Sequence, residues 1–252
     1  MKITVLVNTL SSISPFIYPN HVHFFVQATK KFPGIQWNFF TPPRMSIDTA
    51  RNNAAKLALE SDSDYLMFID DDVLVPATAL EKLIAADKDI VAGLVVIRGY
   101  PFNNMAFKFI GPEALTFYND LPLEKECANA HTKYDLSCES CRASKLQTLV
   151  KVGAVGFSCC LIKTDVLKAM EPPFFITGVN HTEDVYFCLK TLELTPNPEI
   201  YLHTDVPCGH LLNPEPIEWG SRHKMQEFYK ETVIDAGERN ISHIERCLAK
   251  MG

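Results

Sequence analysis

Short apolar runs take turns with amphipathic stretches along the first hundred residues, and that rhythm restricts the fold more than any other feature. Residues 3–8 are an apolar run ending in polar residues, as a buried parallel strand does. Residues 19–31 read as a helix closed by a turn at Pro33 and Gly34, and 35–40 as a second strand. Ser46 is placed to cap a helix to about residue 59, with Ile47, Ala50, Ala54 and Leu57 on one face. Residues 65–69 form a strand, Pro76 opens a helix with Leu80, Leu83 and Ile84 inward, and 90–97 is the next strand. This alternation predicts an α/β layered fold with a mostly parallel sheet.

From 98 to about 147 the rhythm fails, and a hairpin and an insertion are expected there. It resumes with a strand-like stretch over 149–162 that contains Gly153 and Gly156, then a helix from Thr164 as cap to about 170. A helix over 183–192 and a short strand over 199–203 follow. Spaced apolar residues between 221 and 250 (Met225, Phe228, Val233, Ile241, Ile244, Leu248) predict one or two terminal helices. No linker divides the chain, so one domain over 1–252 is expected, with an insertion at about 120–147 and a C-terminal helical extension at about 212–252.

With 252 residues, 47% of them hydrophobic, the chain can bury a sizeable core without disulfide staples. A net charge of −6 counts against charge-driven binding to nucleic acid, although a local basic groove stays compatible with it. The longest apolar stretch, 152–162, is bounded by Lys151 and Lys163 and falls short of the ~20 residues that span a bilayer. The apolar run at the N-terminus is too short for a secretory signal, so a soluble intracellular protein is expected. Eight cysteines in a chain of this length then fit reduced thiols or a metal site.

Asp70, Asp71 and Asp72 stand immediately beyond the apolar run 65–69. Ligands of open α/β sheets bind outside the carboxyl ends of the strands, so the place itself favours a site. Adjacent carboxylates resist joint ionisation, and a divalent cation reverses that penalty. In an extended segment Asp70 and Asp72 would point the same way and share one ion, leaving Asp71 to point elsewhere. Hard oxygen ligands suit magnesium or manganese carrying a diphosphate. The plainer reading makes the triplet a solvated cap for the helix near Pro76.

The triplet after its strand resembles the Asp-x-Asp motif of GT-A fold glycosyltransferases, particularly the inverting family-2-like enzymes and their phage and viral relatives. Four further segments are similar in the same order. Residues 47–53 (Ile-Asp-Thr-Ala-Arg-Asn-Asn) match an Arg-bearing helix start under the nucleotide, and 152–157 (Val-Gly-Ala-Val-Gly-Phe) a glycine-containing acceptor segment. Residues 183–188 (Glu-Asp-Val-Tyr-Phe-Cys) match a Glu-Asp helix opening, and 208–210 (Cys-Gly-His) a late histidine of the metal site. The resemblance covers about residues 1–211.

It implies a virus-encoded type of GT-A fold and transfer from a nucleotide-sugar donor to a saccharide or other hydroxyl acceptor. By this resemblance Asp72 and His210 bind the cation, manganese or magnesium. Asp70 binds it directly, binds it through water, or holds the ribose. Asp71 is left to the substrate. Glu183 or Asp184 is the general base, with Asp184 the better match, and Arg51 partners the pyrophosphate or the base. Asn8 and Thr9, at the end of the first strand, sit where a nucleobase binds, and Gly156 contacts the acceptor or simply bends the backbone. Each residue also has an ordinary reading: His210 as a packed histidine, Glu183 and Asp184 as helix caps, Arg51 as a solvated helix face. Trp219, in the segment 213–220, belongs either to a lid over the donor or to a buried anchor for the terminal helices.

Cys127, His131, Cys138 and Cys141 follow the spacing C-x3-H-x6-C-x2-C, which supplies three thiolates and an imidazole for a tetrahedral structural zinc. Their neighbours are polar, so the metal is expected to supply the ordering energy. The competing reading is a flexible loop with unrelated thiols. Against the glycosyltransferase stand a phage-type transferase acting on a hydroxymethylated DNA base, a nucleotidyltransferase, and an inactive zinc-stabilised binding module. A nucleotidyltransferase would carry an early Gly-rich basic loop, and residues 5–14 have none.

Overall fold

The computed structural model describes residues 1–9, 13–111, 114–212 and 215–229. The elements of the first half are β1 (Lys2–Asn8), α1 (Ile17–Lys31), β2 (Gln36–Phe40), α2 (Ile47–Glu60), β3 (Tyr65–Asp70), β4 (Val73–Leu74), α3 (Ala79–Ala85) and β5 (Ile90–Leu94). A hairpin of β6 (Ala106–Phe109) and β7 (Leu115–Phe117) leads into the insertion with α4 (Glu139–Arg142). Then come β8 (Leu149–Lys151), β9 (Ala154–Val155), β10 (Cys159–Lys163), α5 (Thr164–Lys168), α6 (Glu183–Lys190), β11 (Ile200–Pro207), β12 (Gly209–Leu212), β13 (Glu215–Ile217) and α7 (Arg222–Tyr229).

Seven strands form the main sheet in the order β2-β1-β3-β10-β5-β11-β8. β2, β1, β3, β5 and β11 run the same way, while β10 and β8 run against them. The mixed α/β class with a mostly parallel central sheet is therefore the class expected from the sequence. Alternating residues feed two faces. Leu66 and Phe68 of β3 join Ala54 and Ala58 of α2 and Phe187 of α6 on one side. Met67 and Ile69 join Phe24 of α1 and Leu80 and Leu83 of α3 on the other.

Several expectations need correction. The apolar stretch 149–162 is three strands in three places: β8 at the sheet edge, β9 paired with β6, and β10 in the sheet centre. A continuous apolar run reads alike whether it stays straight or changes partners. Lys163, not Thr164, precedes α5, and the Thr164 hydroxyl donates instead to the Ser63 carbonyl (2.6 Å). The helix expected at Pro76 begins at Ala79, after a turn in which the Ala79 N–H donates to the Pro76 carbonyl (2.9 Å). On α2 the buried stripe is Ala50, Arg51, Ala54, Ala55 and Ala58, rotated away from Ile47 and Leu57.

The insertion is no polar loop. Leu121, Leu123, Tyr134, Cys141 and Leu146 are buried in the same core as α2 and α6. Trp219 is buried as well, with its ring centroid 4.9 Å from that of Tyr134, which is the anchor reading and not the lid. Of the expected terminal helices, α7 is seen; Val233, Ile241, Ile244 and Leu248 lie outside the described residues.

Candidate active site and metal centre

β1 and β3 are parallel neighbours with Asn8 opposite Asp70, so both strands deliver polar side chains at one sheet edge. The chain turns at residues 71 and 72 and enters β4, which pairs antiparallel with β12 so that His210 lies opposite Val73. The Leu211 N–H donates to the Asp72 carbonyl (2.8 Å), which seats a residue from late in the sequence beside the aspartates. Asn8, all three aspartates, Arg98, Ser158, Met105 and His210 line one cavity of about 470 Å³. Because residues 71 and 72 form a turn and not extended strand, Asp71 does not point elsewhere but faces the same space.

The three carboxylates differ. Asp70 Oδ2 accepts from the Ser158 hydroxyl (2.6 Å), and its Oδ1 lies 3.7 Å from Arg51 Nη2. Asp72 Oδ2 lies 3.0 Å from Arg98 Nη1, and its Oδ1 lies 3.4 Å from His210 Nε2. Burial works to raise the Asp72 pKa, but His210 and Arg98 outweigh it and hold the group below the usual carboxylate range. Asp71 moves the other way: burial raises it, the Thr9 hydroxyl opposes, and the charges of Asp72 and Asp70 add to the rise. Asp72 is thus a firmer anion than Asp71. The amide oxygen of Asn8 is buried without a hydrogen-bond partner among the described residues.

His210 is buried, and its Nδ1 lies 2.8 Å from the Val96 carbonyl. A carbonyl oxygen only accepts, so Nδ1 carries the proton, and in the neutral ring Nε2 presents a lone pair. Nε2 lies 3.4 Å from Asp72 Oδ1: the imidazolium, the form in which His210 lowers the Asp72 pKa, donates to that oxygen, whereas the neutral ring sets against it a lone pair that a cation between the two would satisfy. A backbone carbonyl holding the far nitrogen is also how metal-ligating imidazoles are oriented.

Behind the cavity floor Arg51 is 3% exposed. Its Nη1 is 2.6 Å from Glu183 Oε1 and 4.0 Å from Asp184 Oδ2, and its guanidinium lies 5.4 Å from the centroids of both Phe68 and Phe157. The structure therefore joins Arg51 to the candidate base pair and to Asp70. Burial raises the Glu183 pKa, with Arg51 opposing. Asp184 Oδ1 accepts from the Thr182 hydroxyl and from the Val185 N–H (2.8 Å), leaving Oδ2 the freer oxygen. Glu183 and Asp184 are buried and reach the cavity through Arg51 and Asp70, without forming part of its wall. Gly156 is likewise one step removed. A Cβ there would lie 2.4 Å from Met105 Cε, so glycine makes room for the methionine that lines the cavity.

In the insertion, Cys127, His131, Cys138 and Cys141 bring their ligand atoms within 4.8 Å of one another, so this Cys₃His set could hold a metal ion. No other such set of His, Cys, Asp or Glu occurs among the described residues, the aspartates with His210 included. The Cys141 and Cys127 sulfurs are 3.5 Å apart, near the ~3.8 Å edge of a tetrahedron with ~2.3 Å zinc–sulfur bonds. His131 Nδ1 is 3.2 Å from Cys141 Sγ, and the Asn129 amide donates to Cys138 Sγ (3.3 Å). Burial works to raise Cys127, but N–H groups of His131 and Asn129, with Cys141 and Ser140, bring it down to about 6. Soft donors, convergence and N–H bonds to sulfur fit zinc.

Sequence reasoning missed Arg98, Ser158 and Met105. Arg98 directly follows the strand-like run 90–97, which was a usable signal because a charge at a strand's carboxyl end faces the ligand edge. Ser158 sits beyond a short strand that the sequence does not delimit, and Met105 shows no polar signal at all.

The sequence matches no protein-family model and no curated protein. Solved structures do resemble the fold. A197 from STIV superposes with a TM-score of 0.51 at 18% identity, covering 83% of this chain and 85% of that one. TarS 1-349 from S. aureus, in complex with UDP-GlcNAc, gives 0.39 at 13% identity over 81% of this chain and 56% of its own. HddC from Yersinia pseudotuberculosis, complexed with GMP-PN, gives 0.40 at 11% over 91% and 99%. The likeness to A197 from STIV is one of fold.

Proposed function

We propose that the chain is a cation-dependent glycosyltransferase that moves a sugar from a nucleotide-sugar donor to a hydroxyl acceptor with inversion. The observation that carries this reading is His210 Nε2, set 3.4 Å from Asp72 Oδ1 by the Val96 carbonyl on Nδ1, on the wall of a cavity that also holds an Asn8 oxygen without a partner among the described residues. Asp72 and His210 would hold manganese or magnesium, while Asp70, held by the Ser158 hydroxyl and 3.7 Å from Arg51, lines the same cavity. When bound, the ion supplies positive charge that stabilises a departing diphosphate. Arg98, on the same wall, adds a second cation for those phosphates. Asn8, with Thr9 beside it, offers hydrogen bonds to a base at the end of β1, and Asp71 faces the donor.

The acceptor oxygen attacks the anomeric carbon, the bond from that carbon to the diphosphate oxygen breaks, and the acceptor proton passes to the carboxylate base. Asp184 suits that role better than Glu183, because Glu183 is engaged by Arg51 at 2.6 Å while Asp184 keeps Oδ2 freer. The Cys₃His set would hold a structural zinc that fixes the insertion against the core. Manganese-stimulated hydrolysis of a nucleotide sugar, lost in Asp72→Ala, tests the reading; full activity of that variant refutes it.

A further inference from the structure

A second cavity, of about 680 Å³, opens between the insertion and α7. One wall is the segment 130–136, which contains His131 of the Cys₃His set and is flanked by Cys127 and by Cys138 and Cys141, and α7 contributes Arg222 and Gln226. Asn103 lines this cavity and Met105, two residues on, lines the first, so the two spaces share one stretch of chain.

Arg222 is 2% exposed. Its guanidinium lies 3.6 Å from the Trp219 ring centroid and 5.5 Å from that of Tyr134, and its Nη1 donates to Asn119 Oδ1 (2.9 Å). Among the described residues the Nε has no hydrogen-bond partner and no carboxylate pairs with the group, which is hydrogen-bonded to the Tyr134 hydroxyl instead. Burial draws its pKa down to about 10, with Tyr134 opposing. Asp120, on the same cavity, is already engaged by Lys108 and lies 3.8 Å from Lys133. A buried guanidinium held by rings, an amide and a phenol hydroxyl keeps an uncompensated charge that an anion in the cavity would neutralise. The lining also holds Asp135, whose Oδ1 accepts from the Ser137 N–H (2.8 Å) and hydroxyl (2.7 Å), together with amides, hydroxyls and a ring (Asn103, Thr132, Tyr134, Gln226) that suit the mixed donors and acceptors of a sugar.

We propose that this cavity is the acceptor subsite and takes a saccharide bearing an oxyanion, carboxylate or phosphate, with Arg222 as its counter-ion. The acceptor role rests on the glycosyltransferase reading; the binding site itself stands on Arg222 and the cavity.

Calorimetric titration with glucose, glucuronate and glucose 6-phosphate, without nucleotide, tests it. At least one anionic sugar should bind about tenfold or more tightly than glucose, and which one does so separates carboxylate from phosphate. Arg222→Gln should remove that preference. Since Arg222 is buried and its variant could misfold, Lys133→Glu at the rim, where the side chain is 61% exposed, provides a second handle. It should weaken the anionic sugar about threefold or more and leave glucose unchanged. Equal affinity for all three sugars in the parent protein, or anion binding unaltered in Lys133→Glu, overturns the proposal. A single-stranded 12-mer of DNA that displaces the sugar and binds more tightly overturns the saccharide assignment. Anion-selective binding that persists in a chain lacking any manganese-stimulated nucleotide-sugar hydrolysis overturns the acceptor role alone.

Discussion

Replacing Arg51 by Gln should destabilise the fold more than any surface change, and by an amount that depends on pH. The guanidinium is 3% exposed and is shared by Glu183 at 2.6 Å, Asp70 at 3.7 Å and Asp184 at 4.0 Å. Breaking a buried pair from one side costs about 3–5 kcal/mol, because the partner charge is stranded. For a chain of this size about 1 kcal/mol moves the melting temperature by about 2–4 °C, so a drop of about 6–20 °C is expected. Burial already holds Glu183 above the usual carboxylate range with Arg51 pulling down, so without Arg51 it titrates higher still. A carboxyl with a raised folded-state pKa favours the fold while protonated and loses that advantage as pH rises through the folded value. The gap between variant and parent should therefore be smallest near about pH 5 and widest near about pH 8. Adding Glu183→Gln removes one stranded charge and should recover about 1–3 kcal/mol at the higher pH. Urea titrations of the parent, both single variants and the double variant at the two pH values measure all of this. A gap that ignores pH, or a double variant no more stable than Arg51→Gln, would show that Arg51 acts through packing on Phe68 and Phe157 and not as a counter-ion.

At about 100 times its dissociation constant, a nucleoside diphosphate with Mn²⁺ should stabilise the parent by about 2.7 kcal/mol. Thermal shift should show that gain vanish in Asp72→Ala and in His210→Ala. Asp184→Asn should lower kcat by about 10²–10⁴-fold with the donor KM little changed, since the base acts on the acceptor; a change confined to KM would remove it from that role. Cys138→Ser with Cys141→Ser should take bound zinc, measured by mass spectrometry on the intact protein, from about one ion per chain to none. Gly156→Ala should cost about 1–3 kcal/mol, because its new Cβ would meet Met105 Cε at 2.4 Å, and Met105→Ala in the same chain should return part of that stability.

The parts of the fold that show in the sequence are those whose cause is local. β1, β2, α2 and β3 each carry their own period and their own stop, and they fall within a residue or two of where the pattern puts them. The stretch 149–162 carries no such stop. Its apolar residues satisfy β8, β9 and β10 equally well as one strand, and only the partners β11, β6 and β3 divide it. The insertion misleads for the opposite reason. Its many charged residues lie outward, while a few apolar residues, Leu121, Tyr134 and Leu146 among them, are enough to bind it into the core of α2 and α6.

The candidate site divides along the same line. The aspartates are visible because a strand end is a local event and three adjacent carboxylates are conspicuous. Arg51 was readable only through the resemblance, which made it a partner of the pyrophosphate or the base, because a charge in an alanine-rich helix looks solvated and Glu183, its partner at 2.6 Å, lies far along the chain. His210 depends entirely on distant contacts. It meets Asp72 because the two-residue strand β4 pairs with β12, and its tautomer is set by a carbonyl contributed by Val96. No periodicity around residue 210 encodes either contact; only the resemblance pointed there. A spacing motif such as that of the cysteines carries its own geometry, because its ligands fall within one short loop. A site assembled from strand ends carries only its ingredients, and the sheet order decides which of them meet.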